Sequence, residues 1–262
     1  MLREAIDLNC DMGEGMHTDA AIFPFISSSN IACGGHAGDA DTMRRTVELA
    51  LRHGVAIGAH PSYPDKVNFG RVDILDKPLR RIDLPGVLYE QLHRLQSVCR
   101  EFGTHMQHVK PHGALYNRAA KDAAVSALIV RAVVDLDPGL LLFGLSGGET
   151  QRIAGENGLR FISEVFADRT YQPDGSLTPR SEPGALIEDP ARAVAQVLRM
   201  VQEGRVEVVR KGGAGEEPGN TTAAIRAETI CLHGDGSHAV EFAELIHGAL
   251  TGKGIRIAAP GR

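Results

Sequence analysis

A distorted seven-stranded parallel β/α barrel is the fold class that the sequence predicts, and three observations predict it. Seven short β-type runs alternate with helical patterns, and each parallel return needs such a crossover. Polar and ionisable residues fall at the carboxyl end of nearly every run, as an all-round rim requires, whereas an open sheet gathers its ligand residues at one switch point. Within several runs, residues of one parity are apolar and those of the other are ionisable, so each strand offers a greasy face and a charged one. At 262 residues and 43% hydrophobic, the chain can enclose such a barrel. Without an internal repeat or a low-complexity tract, residues 1–262 read as a single barrel domain.

The runs are "AIDLNCD" (5–11), "SSNIAC" (28–33), "VAIGAH" (55–60), "QHVKPH" (107–112), "LLLFGLS" (140–146), "RFISEVFA" (160–167) and "TICLHG" (229–234). Helical patterns cover 38–53, 84–102, 120–135, 148–157, 189–203 and 238–250. The 38–53 pattern has Asp39 or Asp41 as N-cap, Met43, Val47 and Ala50 on one face, and Gly54 as a C-cap. Asp189 followed by Pro190 is a good start signal for 189–203. Residues 61–82 and 168–188 read as long loops over the rim, and 211–220, "KGGAGEEPGN", as an exposed flexible loop.

Composition narrows the function. Net charge is −5, aromatics are 5%, and no basic stripe is interleaved with aromatics, so nucleic acid is not an expected partner. No apolar run reaches the length of a membrane span, and the charged N-terminus does not read as a signal peptide. Cys10, Cys33, Cys99 and Cys231 lack CxxC spacing and read as buried, reduced thiols of a cytoplasmic protein. The eleven histidines are the unusual feature, and several lie beside glycines.

Parity assigns the inner face. Asp7, Asn9 and Asp11 share one side of the first strand, and His108, Lys110 and His112 one side of the fourth. Glu164 and Asp168 come from the sixth, Cys231, His233 and Asp235 from the last, and His60 ends the third. A barrel interior is ordinarily branched and apolar, and each charge buried there costs several kcal/mol unless it pairs, binds metal or reaches water. Such a set is expected to be the wall of an active site, with a buried salt-bridge network such as Lys110 with Asp7 as the structural alternative. "NIACGGHAGD" (30–39) leads into a helix, so the backbone at Gly34, Gly35 and Gly38 is a candidate cradle for a phosphate. "GLSGGET" (144–150) is a weaker one, and "GALTGKG" (248–254) fails the Walker pattern in its glycine spacing and lacks Ser or Thr after Lys. A divalent cation has possible ligands in Asp11, His36, His60, His112 and His233, with Asp11, His60 and His112 the leading candidates.

Six stretches carry a resemblance to a known family: "DLNCDMGEG", "NIACGGHAGD", "AHPSYPD" followed by "NFGR", "VKPHGALYN", "EVFADRTY" and "CLHGD". In this order, over about residues 5–250, they resemble the LamB/YcsF family of 5-oxoprolinase A subunits. The resemblance implies a distorted barrel similar to those of glycoside hydrolases and deacetylases. It also implies ATP-dependent opening of the lactam of 5-oxo-L-proline to L-glutamate, with ATP (carried with Mg2+) converted to ADP and phosphate, and with 5-oxoprolinase subunits B and C as partners. Strand geometry, and not the resemblance, makes Asp11, His60, Lys110 and His112 the expected catalytic groups, with Asp11 or His60 as base and Lys110, His112 and the 34–38 backbone stabilising phosphate or developing charge. Arg71 or Arg180 is expected to grip the substrate carboxylate. Asp7, Asn9, His36, Asn117, Glu164, Asp168, His233 and Asp235 are expected around the substrate. Lys110→Met or His112→Ala is expected to abolish turnover with thermal stability nearly unchanged. Two other readings stay open at this point: a metal-dependent deacetylase or amidohydrolase that does not use ATP, and a lactam-binding subunit without chemistry of its own.

Overall fold

A computed structural model describes residues 4–75, 82–209, 220–234 and 238–261. Strand β1 (Ala5–Met12) leads through a short helix α1 (Asp19–Ile22) to β2 (Ser28–Ala32), helix α2 (Ala40–His53) and β3 (Ala56–His60). Helix α3 (Leu84–Glu101), β4 (His108–Val109), α4 (Gly113–Ala119), α5 (Ala123–Leu136), β5 (Leu141–Leu145), α6 (Glu149–Glu156) and β6 (Phe161–Phe166) follow. Helix α7 (Pro190–Glu203) then precedes a hairpin of β7 (Arg205–Val209) and β8 (Asn220–Ala224), and β9 (Thr229–Leu232), α8 (Ala239–Gly252) and β10 (Arg256–Ile257) complete the order.

The sheet closes. Strands β1 to β6 pair in sequence, β6 pairs with β9, and β9 returns to β1, all in parallel. The result is a seven-stranded barrel without a free edge, with β10 pairing on the first residues of β1. The seven predicted strands are the seven staves. Stave β4 has two residues in regular pairing where six were expected, because Pro111 has no N–H to give. Its ladder nevertheless runs on, since the Lys110 and His112 amides donate to Ala59 and Pro61 carbonyls at 2.9 and 2.8 Å.

Local signals explain several helix ends. Asp39 accepts from the Thr42 amide at the start of α2, and Gly54 closes that helix in the left-handed region at φ 66°. Asp189 caps α7 with Pro190 inside its first turn. The helix expected over 120–135 starts later, at Ala123, because the Asp122 carboxylate accepts from the Ala124 and Val125 amides. A separate helix, α4, lies outside the expected helical patterns. The β7–β8 hairpin and β10 were not expected. Of the expected loop at 211–220, only Asn220, the first residue of β8, lies within the described residues.

The charged faces point inward, as parity predicts. Ile6, Leu8, Cys10 and Met12 join the large core between barrel and helices, while Asn9 bonds across to Asn30, Glu164 and Thr229 inside. One end of the interior is apolar: Leu141, Phe143 and Ile162 cluster there, and Phe143 stacks on His108 with ring centres 4.1 Å apart. Gly58 faces His108 across the β3–β4 pair. A Cβ at Gly58 would lie 2.0 Å from His108 Nε2, so a hydrogen there is a requirement of the packing.

Candidate active site

The layer inside the barrel below the mouth is a hydrogen-bonded polar stack. Asp7 accepts from Ser27 and Ser28 at 2.7 Å each and from Thr229 at 2.5 Å. Burial raises its carboxyl to about 6, against the pull of these three hydroxyls. Above it, Asn30 donates to Asn9 Oδ1 at 2.7 Å and to Asp11 Oδ1 at 2.9 Å, and His108 Nε2 donates to Asn30 Oδ1 at 2.8 Å. Burial and the nearby Lys110 charge push His108 down to about 3, so it is a neutral strut.

Lys110 crowns this stack. Its ammonium lies 2.9 Å from Asp11 Oδ1, 2.9 Å from Glu164 Oε1, 3.0 Å from Cys231 Sγ and 3.2 Å from Asn9 Oδ1. Burial opposes the charge, but Asp11, Cys231 and Glu164 outweigh it and hold Lys110 well above the usual lysine range. Asp11 moves the other way: burial would raise it, but His60 and Lys110 hold it well below the ordinary carboxylate range. A buried lysine between two carboxylates with one face toward a cavity is a fixed positive point that needs no reorganisation to meet developing negative charge.

Beside Lys110, three imidazoles meet. His60 Nδ1 donates to the Lys110 carbonyl at 2.7 Å, and His112 Nε2 donates to the Phe69 carbonyl at 2.9 Å. Their other nitrogens, His60 Nε2 and His112 Nδ1, face each other at 2.9 Å. His36 stacks on His112 with centroids 3.7 Å apart, and its Nε2 lies 2.8 Å from Glu14 Oε1. Burial holds His112 well below its ordinary value, and His36 down to about 2, with His60 adding to both. Phe69 takes a left-handed backbone at φ 53°, unusual for a bulky side chain, and this aims its carbonyl at His112.

A cavity of about 550 Å³ opens over Asp11, His60, Lys110 and His112. Arg71, Asn117, Arg118, Arg169, Arg180 and His233 line its walls. His233 Nδ1 is held by Asp168 at 2.8 Å, which leaves Nε2 as the nitrogen available to a ligand. Burial would raise Asp168, but His233 and two arginines bring it below its ordinary value. The hydroxyl of Tyr116, a lining residue, is buried beside Glu164, which with burial pushes it well above the usual tyrosine range. Arg169 is tied to the Thr178 carbonyl at 2.6 Å and serves the loop, and Arg118 pairs with Asp73 and Asp122.

The predicted residues thus sort by depth. Asp11, His60, Arg71, Lys110, His112, Asn117, Arg180 and His233 line the cavity. Asn9 and Glu164 stand behind Lys110, Asp168 behind His233, and His36 behind His112. Asp7 lies deeper still, among hydroxyls, and makes no pair with Lys110, which takes Asp11 and Glu164 instead. Asp235 lies outside the described residues. Gly34, Gly35 and Gly38 are absent from the cavity lining. The following helix end is occupied by its own cap, Asp39, and a Cβ at Gly35 would meet Gln91 and Ser62 at 2.5 Å, so tight packing explains that glycine. Sequence reasoning passed over Glu14, Tyr116 and Arg118. Each lies inside a quoted motif or just beyond it, but no strand parity marks them, because they sit on a loop and on α4.

The chain matches known proteins in sequence and in fold. A family model described as the LamB/YcsF family matches residues 6–262. The 5-oxoprolinase A subunit from Geobacillus thermodenitrificans (strain NG80-2) is 50% identical over 260 residues, covering 98% of this chain and 97% of that protein. Its counterpart from Geobacillus kaustophilus (strain HTA426) is 50% identical over 261 residues with the same coverage. The crystal structure of a lactam utilization protein from Thermus thermophilus superposes with a TM-score of 0.86 at 38% identity, covering 98% of this chain and 100% of that one.

Proposed function

This chain belongs to the LamB/YcsF family, and we propose that it is the A subunit of an ATP-dependent 5-oxoprolinase, opening 5-oxo-L-proline to L-glutamate. The observation that carries the reading is Lys110, pinned between Asp11 and Glu164 at the floor of a cavity whose wall holds arginines. A five-membered lactam with a carboxylate needs those two things: a fixed cation where oxygen gains charge, and a guanidinium for the acid.

The cavity, about 550 Å³, has room for 5-oxoproline and an attached phosphoryl group. ATP, as co-substrate with Mg2+, supplies the phosphoryl group that activates the lactam oxygen. Arg180 or Arg71 holds the substrate carboxylate. Lys110 and the Tyr116 hydroxyl face the oxygen that gains charge as water adds. Asp11 stays ionised and positions that water with His60 and His112, whose outer nitrogens are locked by the Lys110 and Phe69 carbonyls. His233, oriented by Asp168, protonates the ring nitrogen as the C–N bond breaks, and a second water hydrolyses the acyl phosphate so formed, releasing phosphate and L-glutamate. The chain works as one barrel domain in the cytoplasm, with subunits B and C as partners.

The test is glutamate release from 5-oxoproline and ATP, with this chain added to or omitted from its two partner subunits. Release that requires this chain, ATP and Lys110 is the expected result. Release by this chain without ATP would replace the proposal with ATP-independent amide hydrolysis. Lactam binding without turnover in the full complex would leave only a binding role.

A further inference from the structure

Glu14, His36, His60 and His112 come together from the loop after β1, the loop after β2, the end of β3 and the turn before α4. Their ligand atoms all lie within 4.8 Å of one another. The outer N–H of His60 and that of His112 each donate to a backbone carbonyl, so the inner nitrogens, 2.9 Å apart, turn lone pairs toward each other. Glu14 Oε1 closes on the same point, 2.8 Å from His36 Nε2, 3.5 Å from His112 Nδ1 and 3.9 Å from His60 Nε2. A proton can bridge one such pair. His36 Nε2 and Glu14 Oε1, 2.8 Å apart, can share a second, so an ion at this point would replace two hydrogen-bonded pairs with a single centre held by all four atoms.

A cation with ligand bonds of about 2.1 Å places neighbouring ligand atoms roughly 3 to 4 Å apart, and the measured separations fall close to that range. Backbone carbonyls on the far nitrogens of His60 and His112 are the outer-sphere partners that fix a ligating imidazole's tautomer. His36 presents Nε2 to the cluster, and its far nitrogen, Nδ1, is buried without a hydrogen-bond partner among the described residues, unlike those of His60 and His112. The other acidic and thiol cluster, Asp11, Cys231 and His233, is different: the Lys110 ammonium already sits against Asp11 and Cys231.

We propose that Glu14, His36, His60 and His112 bind one divalent first-row transition-metal ion of the zinc class. Three imidazoles with one carboxylate suit zinc, cobalt, nickel or ferrous iron and do not suit magnesium or calcium, which take oxygen ligands. The ion sits beside Lys110, at the edge of the cavity, where it can polarise a water or a carbonyl oxygen. The inference goes beyond the proposed lactam activity and does not rest on it, because binding is measured on the isolated chain without ATP, lactam or partner subunits.

The experiment treats the full-length chain with chelator and titrates it with Zn2+ and then with Co2+, reading heat of binding, metal per chain and the visible ligand-field spectrum of the cobalt form. One ion per chain is expected, with a cobalt band that Zn2+ displaces and with no competition from Mg2+. Glu14→Gln, which keeps shape, and His112→Ala should each weaken Zn2+ binding by more than the roughly ten-fold that disturbing an outer partner costs. His53→Ala, on the exposed end of α2, should bind as the wild type does. Wild-type protein that takes up no stoichiometric Zn2+ or Co2+ would overturn the proposal, whether or not the variants fold. Unchanged affinity in the folded Glu14→Gln variant, or a site that Mg2+ fills in preference, would also overturn it.

Discussion

Lys110→Met is the most informative substitution. Methionine keeps the length of the side chain and removes the charge. Lys110 is 2% exposed, and both its carboxylate partners are buried, Asp11 at 7% and Glu164 at 0%. Removing one member of a buried ion pair costs about 3–5 kcal/mol, because the remaining charge is left without compensation. For a chain of this size about 2 °C of Tm goes with each kcal/mol, which predicts a fall of roughly 6–10 °C. This revises the expectation from sequence that stability would hardly change: parity showed a lysine on the inner face, but not that two carboxylates depend on it. The assay is thermal unfolding followed by circular dichroism, on Lys110→Met alone and combined with Glu164→Gln. Because the added amide removes one orphaned charge, the double variant should regain a good part of the lost Tm. Glutamate release in the reconstituted complex should stay abolished in both. A single variant that unfolds at the wild-type temperature, or a double variant no better than the single, would refute the claim that Lys110 neutralises these two carboxylates.

Other substitutions report on other parts of the site. Gly58→Ala forces a Cβ against His108, which cannot swing aside because it is stacked on Phe143, so overpacking should cost about 1–3 kcal/mol and lower Tm by roughly 2–6 °C. Arg180→Gln should raise KM for 5-oxoproline with a smaller effect on kcat, if it grips the carboxylate; an unchanged KM would move that role to Arg71. His112→Ala should reduce glutamate release by about 10²–10⁴-fold, as expected for a group that positions the attacking water. Asp7 gives a pH signature. Its carboxyl is raised from an ordinary 3.8 to about 6, so the folded state holds the proton more tightly than the unfolded chain. The stability this gives is complete below about pH 4 and is lost as pH rises through 6, at most about 3 kcal/mol. The Tm of Asp7→Asn relative to wild type should therefore climb between pH 4 and 7, and a flat difference would show that Asp7 does not hold its proton.

Much of this was legible from spacing. Alternation at Asp7–Asn9–Asp11 and at His108–Lys110–His112 fixes which side chains share a face, because a strand's period is two whatever surrounds it. Helix ends followed from Asp39, Gly54 and Asp189, whose capping chemistry acts within a turn of chain. Helix α4 was hidden because glycine at its start reads as a turn, and β10 because two residues carry no periodic signal.

The seven staves, the polar inner face and the identity of most groups at the mouth were already written into the order of residues, since these depend on neighbours a few positions apart. Which of those groups meet was left to the closed barrel. Lys110 reaches Asp11 and Glu164 instead of Asp7, because strand stagger sets its height in the barrel. Glu14 joins three histidines because loops of unrelated sequence converge above β1 and β3. Such pairings depend on distances between residues tens to hundreds of positions apart, and these are set only when the sheet closes on itself.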